Sequence, residues 1–190
     1  MIEPLWTPAP EQITATNIDR FRRHIEASYG LVLADTAELH RWSIEHLDEF
    51  WSEVWDAVGM VGTKGSVAFE PGPDMPSARF FPEATLNVAE NLLDGKGRPE
   101  SAPAIEFKRE DGLRRTLSWA ELRSEVAALA SALRAMGVES GDRVVAWMPH
   151  VPETVILMLA GASIGAVFSS TSADFGTAGV VDRFGQIKPK

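Results

Sequence analysis

Residues 141–170 read GDRVVAWMPHVPETVILMLAGASIGAVFSS, and the parsing of this stretch decides the fold. After the Gly141–Asp142 turn, Arg143 to Met148 is a short apolar run with Val144, Val145 and Trp147, which fits a buried strand. Pro152 suits a first helical position, and the helix it opens should run to about Ile164. Ala166 to Ser169 makes a second short strand, so the unit is βαβ, with a parallel sheet and a right-handed crossover. The longest apolar run, Val155 to Phe168, is interrupted by Ser163 and falls short of the ~20 residues that span a bilayer. It reads as buried core.

Working toward the amino terminus, Ser118 and Glu121 form a capping box, with Leu117 and Leu122 placed as a hydrophobic staple. The helix they start buries Leu122, Val126, Leu129, Leu133 and Met136 at spacings of three and four, and Gly137 ends it. Before it, Ala104 to Arg109 and Leu113 to Leu117 form a hairpin through Asp111 and Gly112, residues that tolerate a tight turn. Residues 59–103 are dense in Gly and Pro and predict an extended connector, interrupted by a short helix at Asn87 to Leu93. Thr16 and Asp19 have capping spacing before Ile18, Phe21, Ile25 and Tyr29, a helix that stops at Gly30. Asp35 and Glu38 repeat the spacing, and the stripe Ile44, Leu47, Trp51, Val54, Trp55, Val58 predicts one aromatic-rich helix up to Gly59. Its tryptophans read as core packing rather than a sugar or base platform. Beyond the second strand, Ser172 or Asp174 is expected to cap a last helix through Val180, Val181 and Phe184.

The 190 residues are 45% apolar and 24% charged, enough to bury the core of one large or two small domains. With 18 basic against 27 acidic residues the net charge is −9, which repels phosphate backbones and anionic headgroups, so neither a nucleic acid nor a membrane is an expected partner. Absence of cysteine removes disulfides, a catalytic thiol and thiolate-bound zinc, and agrees with a reducing cytoplasm. Glu3, Pro4 and Pro8 stand where a signal peptide needs a basic start and an unbroken apolar stretch.

Several chemistries lack their residues. The turn Pro149, His150, Val151, Pro152 has none of the glycines that let a backbone approach a pyrophosphate, and Gly62, Thr63, Lys64 only echoes a phosphate loop. His24, His40, His46 and His150 include no pair at the spacing of a helical zinc site, so no metal ligand is nominated. His150 is a candidate because ligands of α/β sheets bind beyond the carboxyl ends of strands, though a polar residue in such a loop is more often structural or solvated. Ser169, Ser170, Thr171 and Ser172 form a hydroxyl cluster just past a strand, suited either to donating to a ligand or to a turn and an N-cap. Gly161 and Gly165 have the spacing of a close helix-packing pair and read as tight helix-on-sheet contact.

These residues resemble a known family, the adenylate-forming enzymes that include acyl-CoA synthetases, firefly luciferase and peptide-synthetase adenylation domains. Residues 117–122, LSWAEL, are similar to that family's LTYAEL helix start, and residues 137–145, GVESGDRVV, to its GVKKGDRVA. Residues 149–153, PHVPE, look like PNSPE with His150 in place of Asn, and Gly161 to Phe168 stands where the family has KAGAVVVP. Residues 86–93, LNVAENLL, with the helices at 36–58, resemble the amino-terminal extension of acetyl-CoA-synthetase-like members. Residues 168–182, FSSTSADFGTAGVVD, followed by Arg183 to Gln186, are similar to members that act on acetoacetate.

The resemblance implies activation of a carboxylate by ATP through an acyl-adenylate, then transfer to coenzyme A, with magnesium accompanying the ATP. It implies a small-molecule substrate, acetoacetate or another short acyl acid, in the full-length enzyme. The expected fold is the amino-terminal part of an adenylate-forming α/β ligase: a helical extension and connector over residues 1–102, then an incomplete βαβ parallel-sheet subdomain over 103–190. The family's ATP loop, adenine and ribose motifs, hinge and carboxyl-terminal lysine lie beyond Lys190, so no catalytic residue is assigned and the chain alone is expected to be inactive. By position Phe168, Ser169 and Ser170 match the segment lining the coenzyme A approach, with Ser where relatives have Gly. The alternative is a non-catalytic binding or regulatory module derived from such a synthetase. As a truncated piece, the chain should expose apolar surface, because its last strands and the helix at 152–164 would lack a covering layer.

Overall fold

The computed structural model describes residues 5–190, and these divide into two compact units, up to Thr85 and from Leu86 onward. The first unit is built on four helices, α1 (Pro10–Thr14), α2 (Asn17–Tyr29), α3 (Thr36–Glu45) and α4 (Leu47–Ala57), followed by the short antiparallel pair β1 (Phe69–Glu70) and β2 (Arg79–Phe80). As the spacing predicts, the Thr16 hydroxyl accepts from the Asp19 amide at 3.2 Å, and Gly30 closes α2 in the left-handed region at φ 66°. Asp19 does not complete a capping box. Its buried carboxylate instead accepts from Arg22 at 2.8 Å, with Arg23 Nε 2.9 Å from its other oxygen. Arg22 also donates to Glu26 and to the Leu33 carbonyl, which staples α2 to the chain leading into α3.

One predicted helix is two. The stripe from Ile44 to Val58 breaks at His46, whose φ −129° and ψ 60° are not helical. Trp42 on α3 packs with Ile25, Leu33 and Leu39, whereas Trp55 on α4 packs on Phe81 with ring centroids 4.9 Å apart. Trp42 and Trp55 are buried and Trp51 lies edge-on to Phe80, so all three serve packing. Lys64 of the superficial phosphate-loop echo is held by Asp56 at 2.7 Å and the Ser52 carbonyl at 3.1 Å, a structural tie.

The second unit opens with α5 (Val88–Leu93), capped by Asn87, and continues into the antiparallel hairpin β3 (Pro103–Lys108) and β4 (Arg114–Ser118). The hairpin turn is longer than an Asp-Gly pair: the Gly112 amide donates to the Arg109 carbonyl and Arg109 pairs with Leu113, so three residues connect the strands. Only Gly112, at φ 90°, needs the left-handed region there. Helix α6 (Trp119–Ala135) starts in a complete capping box between Ser118 and Glu121. Leu122, Val126, Ala130 and Leu133 of α6 form the core with Leu117, Ala89 and Ile156, Leu159 and Ala160 of α7 (Pro152–Ser163). Met136, predicted as the last member of the stripe, is exposed beyond the helix end.

Strands β5 (Arg143–Trp147) and β6 (Val167–Thr171) pair in parallel across α7, with Val144 opposite Phe168 and Ala146 opposite Ser170. The βαβ reading therefore stands, and the fold is α/β with small parallel and antiparallel sheets. The expectation that α7 lacks a covering layer is corrected, since α6 and α5 cover it, whereas Trp147 and Val167 on the strands are exposed. The glycine pair is also reinterpreted. A Cβ on Gly161 would meet nothing outside its helix within 4 Å, while Gly165 sits at φ 78° against Ser140. Gly165 terminates α7: its amide donates to the Ala162 carbonyl and the Ala166 amide to that of Gly161, the paired bonds of a left-handed helix stop.

Candidate functional site

The carboxyl ends of β5 and β6 lie side by side, which is where parallel α/β sheets present ligands. β5 leads through Met148, Pro149, His150 and Val151 into α7, and the Met148 amide donates to the Thr171 carbonyl at 3.3 Å, holding the two strand exits together. The Thr154 hydroxyl donates to the Pro149 carbonyl at 2.9 Å, and Arg115 on β4 donates to Glu153 at 2.6 Å, fixing the first turn of α7. The Arg115 guanidinium holds the Glu153 carboxyl below its ordinary range.

Register places the nominated residues individually. Ser169, Ser170 and Thr171 belong to β6 itself, and only Ser172 lies past the strand. Because side chains alternate along a strand and partners in register share a face, Phe168 and Ser170 lie on the face of Val144 and Ala146. Ser169 lies on the opposite face with Val145 and Trp147. A ligand resting on one face meets Phe168 and Ser170, or Ser169. Ser170 is exposed, and Phe168 and Ser169 are half-buried.

Neither Ser172 nor Asp174 caps the next helix, α8 (Thr177–Ile187), whose N-cap is Gly176. Hydrogen bonding from Ser172, then the Asp174 amide and the charge of nearby His150, lowers the Asp174 carboxyl from its ordinary value. The turn in which the Phe175 amide donates to the Ser172 carbonyl delays the helix. Arg183 of α8 lies over the Phe175 ring at 4.4 Å. His150 lines a recess of about 190 Å³ with Ile105, Phe107, Pro152 and Val155. That recess is below the ~300 Å³ at which pockets enclose a drug-sized ligand.

Sequence reasoning missed two features. One is an open cleft of about 750 Å³ between α2 and α4, lined by Ile18, Phe21, His24, Val54 and Val58. Its polar groups are tied locally, His24 to Glu53 at 2.7 Å and Arg20 to Asn17 at 2.8 Å, which gives it no free catalytic group. The other is Asn87, read only as a helix start, whose amide also reaches the Ala162 carbonyl at 3.0 Å. No group of three or more His, Asp or Glu side chains placed to hold a metal ion occurs among the described residues. No helix among them is long and apolar enough to cross a membrane.

Comparison with known proteins defines the class. A family model described as AMP-binding enzyme matches residues 94–190, just over half of the chain, and one described as acetyl-coenzyme A synthetase N-terminus matches residues 36–92. The chain belongs to the AMP-binding enzyme family. It is 46% identical over 187 residues to acetoacetyl-coenzyme A synthetase of Rhizobium meliloti (strain 1021), covering 98% of this chain and 28% of that protein. It is 42% identical over 190 residues to acetoacetyl-CoA synthetase of Xenopus tropicalis, with the same two coverages of 98% and 28%. Among solved structures, acetoacetyl-CoA synthetase from Streptomyces lividans superposes with a TM-score of 0.90 at 39% identity, over 99% of this chain and 29% of that one. The chain therefore spans little more than a quarter of the length of the relatives it matches.

Proposed function

We propose that this chain is the amino-terminal portion of an ATP-dependent acetoacetate:CoA ligase, which forms an acyl-adenylate with release of pyrophosphate and then a thioester with coenzyme A. The observation that carries the reading is the likeness to acetoacetyl-CoA synthetases, which runs through both units rather than through the AMP-binding part alone. Residues 1–102 are the extension and connector and residues 103–190 the opening of the adenylation domain, beginning at the strand that starts with Pro103.

Within that reading Phe168, Ser169 and Ser170 line the approach of coenzyme A. Position at the exit of a parallel sheet supports this, as does the exposure of Ser170, whose hydroxyl can donate to an amide carbonyl or phosphate oxygen. Phe168 offers an apolar wall beside it. His150 and Asp174 flank the same end of the sheet. ATP, with its magnesium, is a co-substrate of the longer protein, and no residue here is assigned to either. Stabilising charge at a phosphoryl centre needs cations or amides aimed at it, and the arginines near this end, Arg115 and Arg183, are committed to Glu153 and Phe175.

The test is pyrophosphate release on mixing ATP, magnesium and coenzyme A with acetoacetate, acetate or malonate. A protein carrying this chain within the full length of its relatives should prefer acetoacetate, and the 190 residues alone should release none. Preference for another acid would sink the substrate assignment, and turnover by the 190-residue chain would sink the claim that it is inactive alone.

A further inference from the structure

We propose that Asn87 is a positioning residue that locks the end of α7 and thereby sets the strand carrying Phe168, Ser169 and Ser170. The link to coenzyme A rests on the reading above; the lock itself does not. The Asn87 side-chain oxygen, Oδ1, accepts from the amides of Ala89 at 2.9 Å and Glu90 at 3.3 Å, the donors left open at the start of α5. Its amide nitrogen donates in the other direction, to the carbonyls of Ala162 at 3.0 Å and Ser163 at 3.4 Å.

One side chain therefore caps the amino end of one helix and the carboxyl end of another. A primary amide suits this because its oxygen only accepts and its nitrogen only donates, and each end faces the helix terminus of opposite partial charge. Serine and aspartate are good N-caps but have no donor that reaches across. Around this contact Ala89 is fully buried against α7, and the Asn91 side chain donates to the main-chain carbonyl of Asn87 at 3.1 Å, holding the cap in place. The Ala162 carbonyl is shared: it also takes the Gly165 amide at 3.0 Å in the turn that ends α7. Two residues later the Val167 amide donates to the Asp142 carbonyl at 2.8 Å and β6 begins. Asn87 thus reaches the last turn of α7 only four residues before the strand, at the point where an error in the turn would be carried into β6.

The experiment is residue-resolved amide hydrogen exchange on the 190-residue chain, comparing wild type with Asn87→Ser and Asn87→Ala without coenzyme A. N87S keeps the cap of α5 and loses the donor to α7. It should leave the amides of Asn91 to Asp94 unchanged while those of Gly165 to Phe168 exchange roughly 5- to 10-fold faster, the loss expected for one or two neutral hydrogen bonds. N87A should accelerate both groups. Equal effects of N87S on both groups, or none on residues 165–168, would overturn the proposal. In the same samples, backbone amide shifts of Ser169 and Ser170 should move in N87S under conditions where it is fully folded, and unmoved shifts would count against positioning. Adding coenzyme A to the wild type tests the other reading separately, because the lock is read in its absence.

Discussion

Replacing Gly165 and Gly161 by alanine, one at a time, should move stability in opposite directions although the two residues are four apart at the same helix end. At Gly165 the backbone sits at φ 78°, where an L side chain costs about 1–2 kcal/mol. The new Cβ would also stand 2.5 Å from Ser140 Oγ and 3.0 Å from Ser140 Cβ, so Ser140 must shift as well. At Gly161 the backbone is helical and the Cβ meets nothing outside its helix within 4 Å, so alanine should stabilise by about 0.5–1 kcal/mol through the lower entropy of the unfolded chain. With a urea slope of roughly 2 kcal/mol/M, G165A lowers the unfolding midpoint by at least about 0.5–1 M and G161A raises it by about 0.3–0.5 M. Ser140→Ala removes the nearer of the two contacts, so G165A in that background should cost closer to the backbone part alone. Urea unfolding followed by tryptophan fluorescence and circular dichroism compares these four variants with the wild type. If G161A destabilised the chain and G165A left the midpoint in place, the two glycines would be a packing pair after all and the stop at Gly165 would be misassigned.

Two smaller perturbations test other links in the same way. Ser118→Ala removes the hydroxyl that accepts from the Glu121 amide and should cost about 1 kcal/mol in urea unfolding, while a loss indistinguishable from zero would mean that the box does not start α6. The hydrogen bond from Arg22, with the charge of Arg23 beside it, lowers the Asp19 carboxyl from its ordinary value against the opposing effect of burial. Its folded pKa is below the unfolded one, so its contribution is complete above the unfolded value near ~4 and is lost as pH falls through the folded value. Asp19→Asn should therefore lower the urea midpoint at pH 7 and converge on wild type in acid below about pH 4; a constant gap between the two proteins across that range would refute the charge-based account.

Much of the fold was legible because its signals are local. The cap of α2 by Thr16, the box at Ser118 and Glu121, the turn glycines at 30, 112 and 137, and the strand-helix-strand pattern from 143 to 171 each depend on residues within a few positions of one another. Such signals act before any distant contact forms, so a sequence carries them openly. The candidate site was legible as a place, the exits of two parallel strands, but not as an arrangement. Strand length was underestimated because Ser170 and Thr171 have no apolar pattern of their own and are strand only through pairing with Ala146 and Trp147.

By itself, then, the sequence determined the α/β class, the order of the elements from α5 to α8 and the end of the sheet at which to look. Tertiary contacts decided the rest. They broke the helix at His46, where Trp42 and Trp55 have different partners. They divided Phe168 and Ser170 from Ser169 by the pleat of the paired strands, and they brought Asn87 to Ala162 across 75 residues of chain. The physical reason is the same in each case. Caps and periodicity are settled among neighbours, whereas register, helix breaks and long-range hydrogen bonds are chosen by which distant surfaces meet, and no short stretch of sequence records that choice.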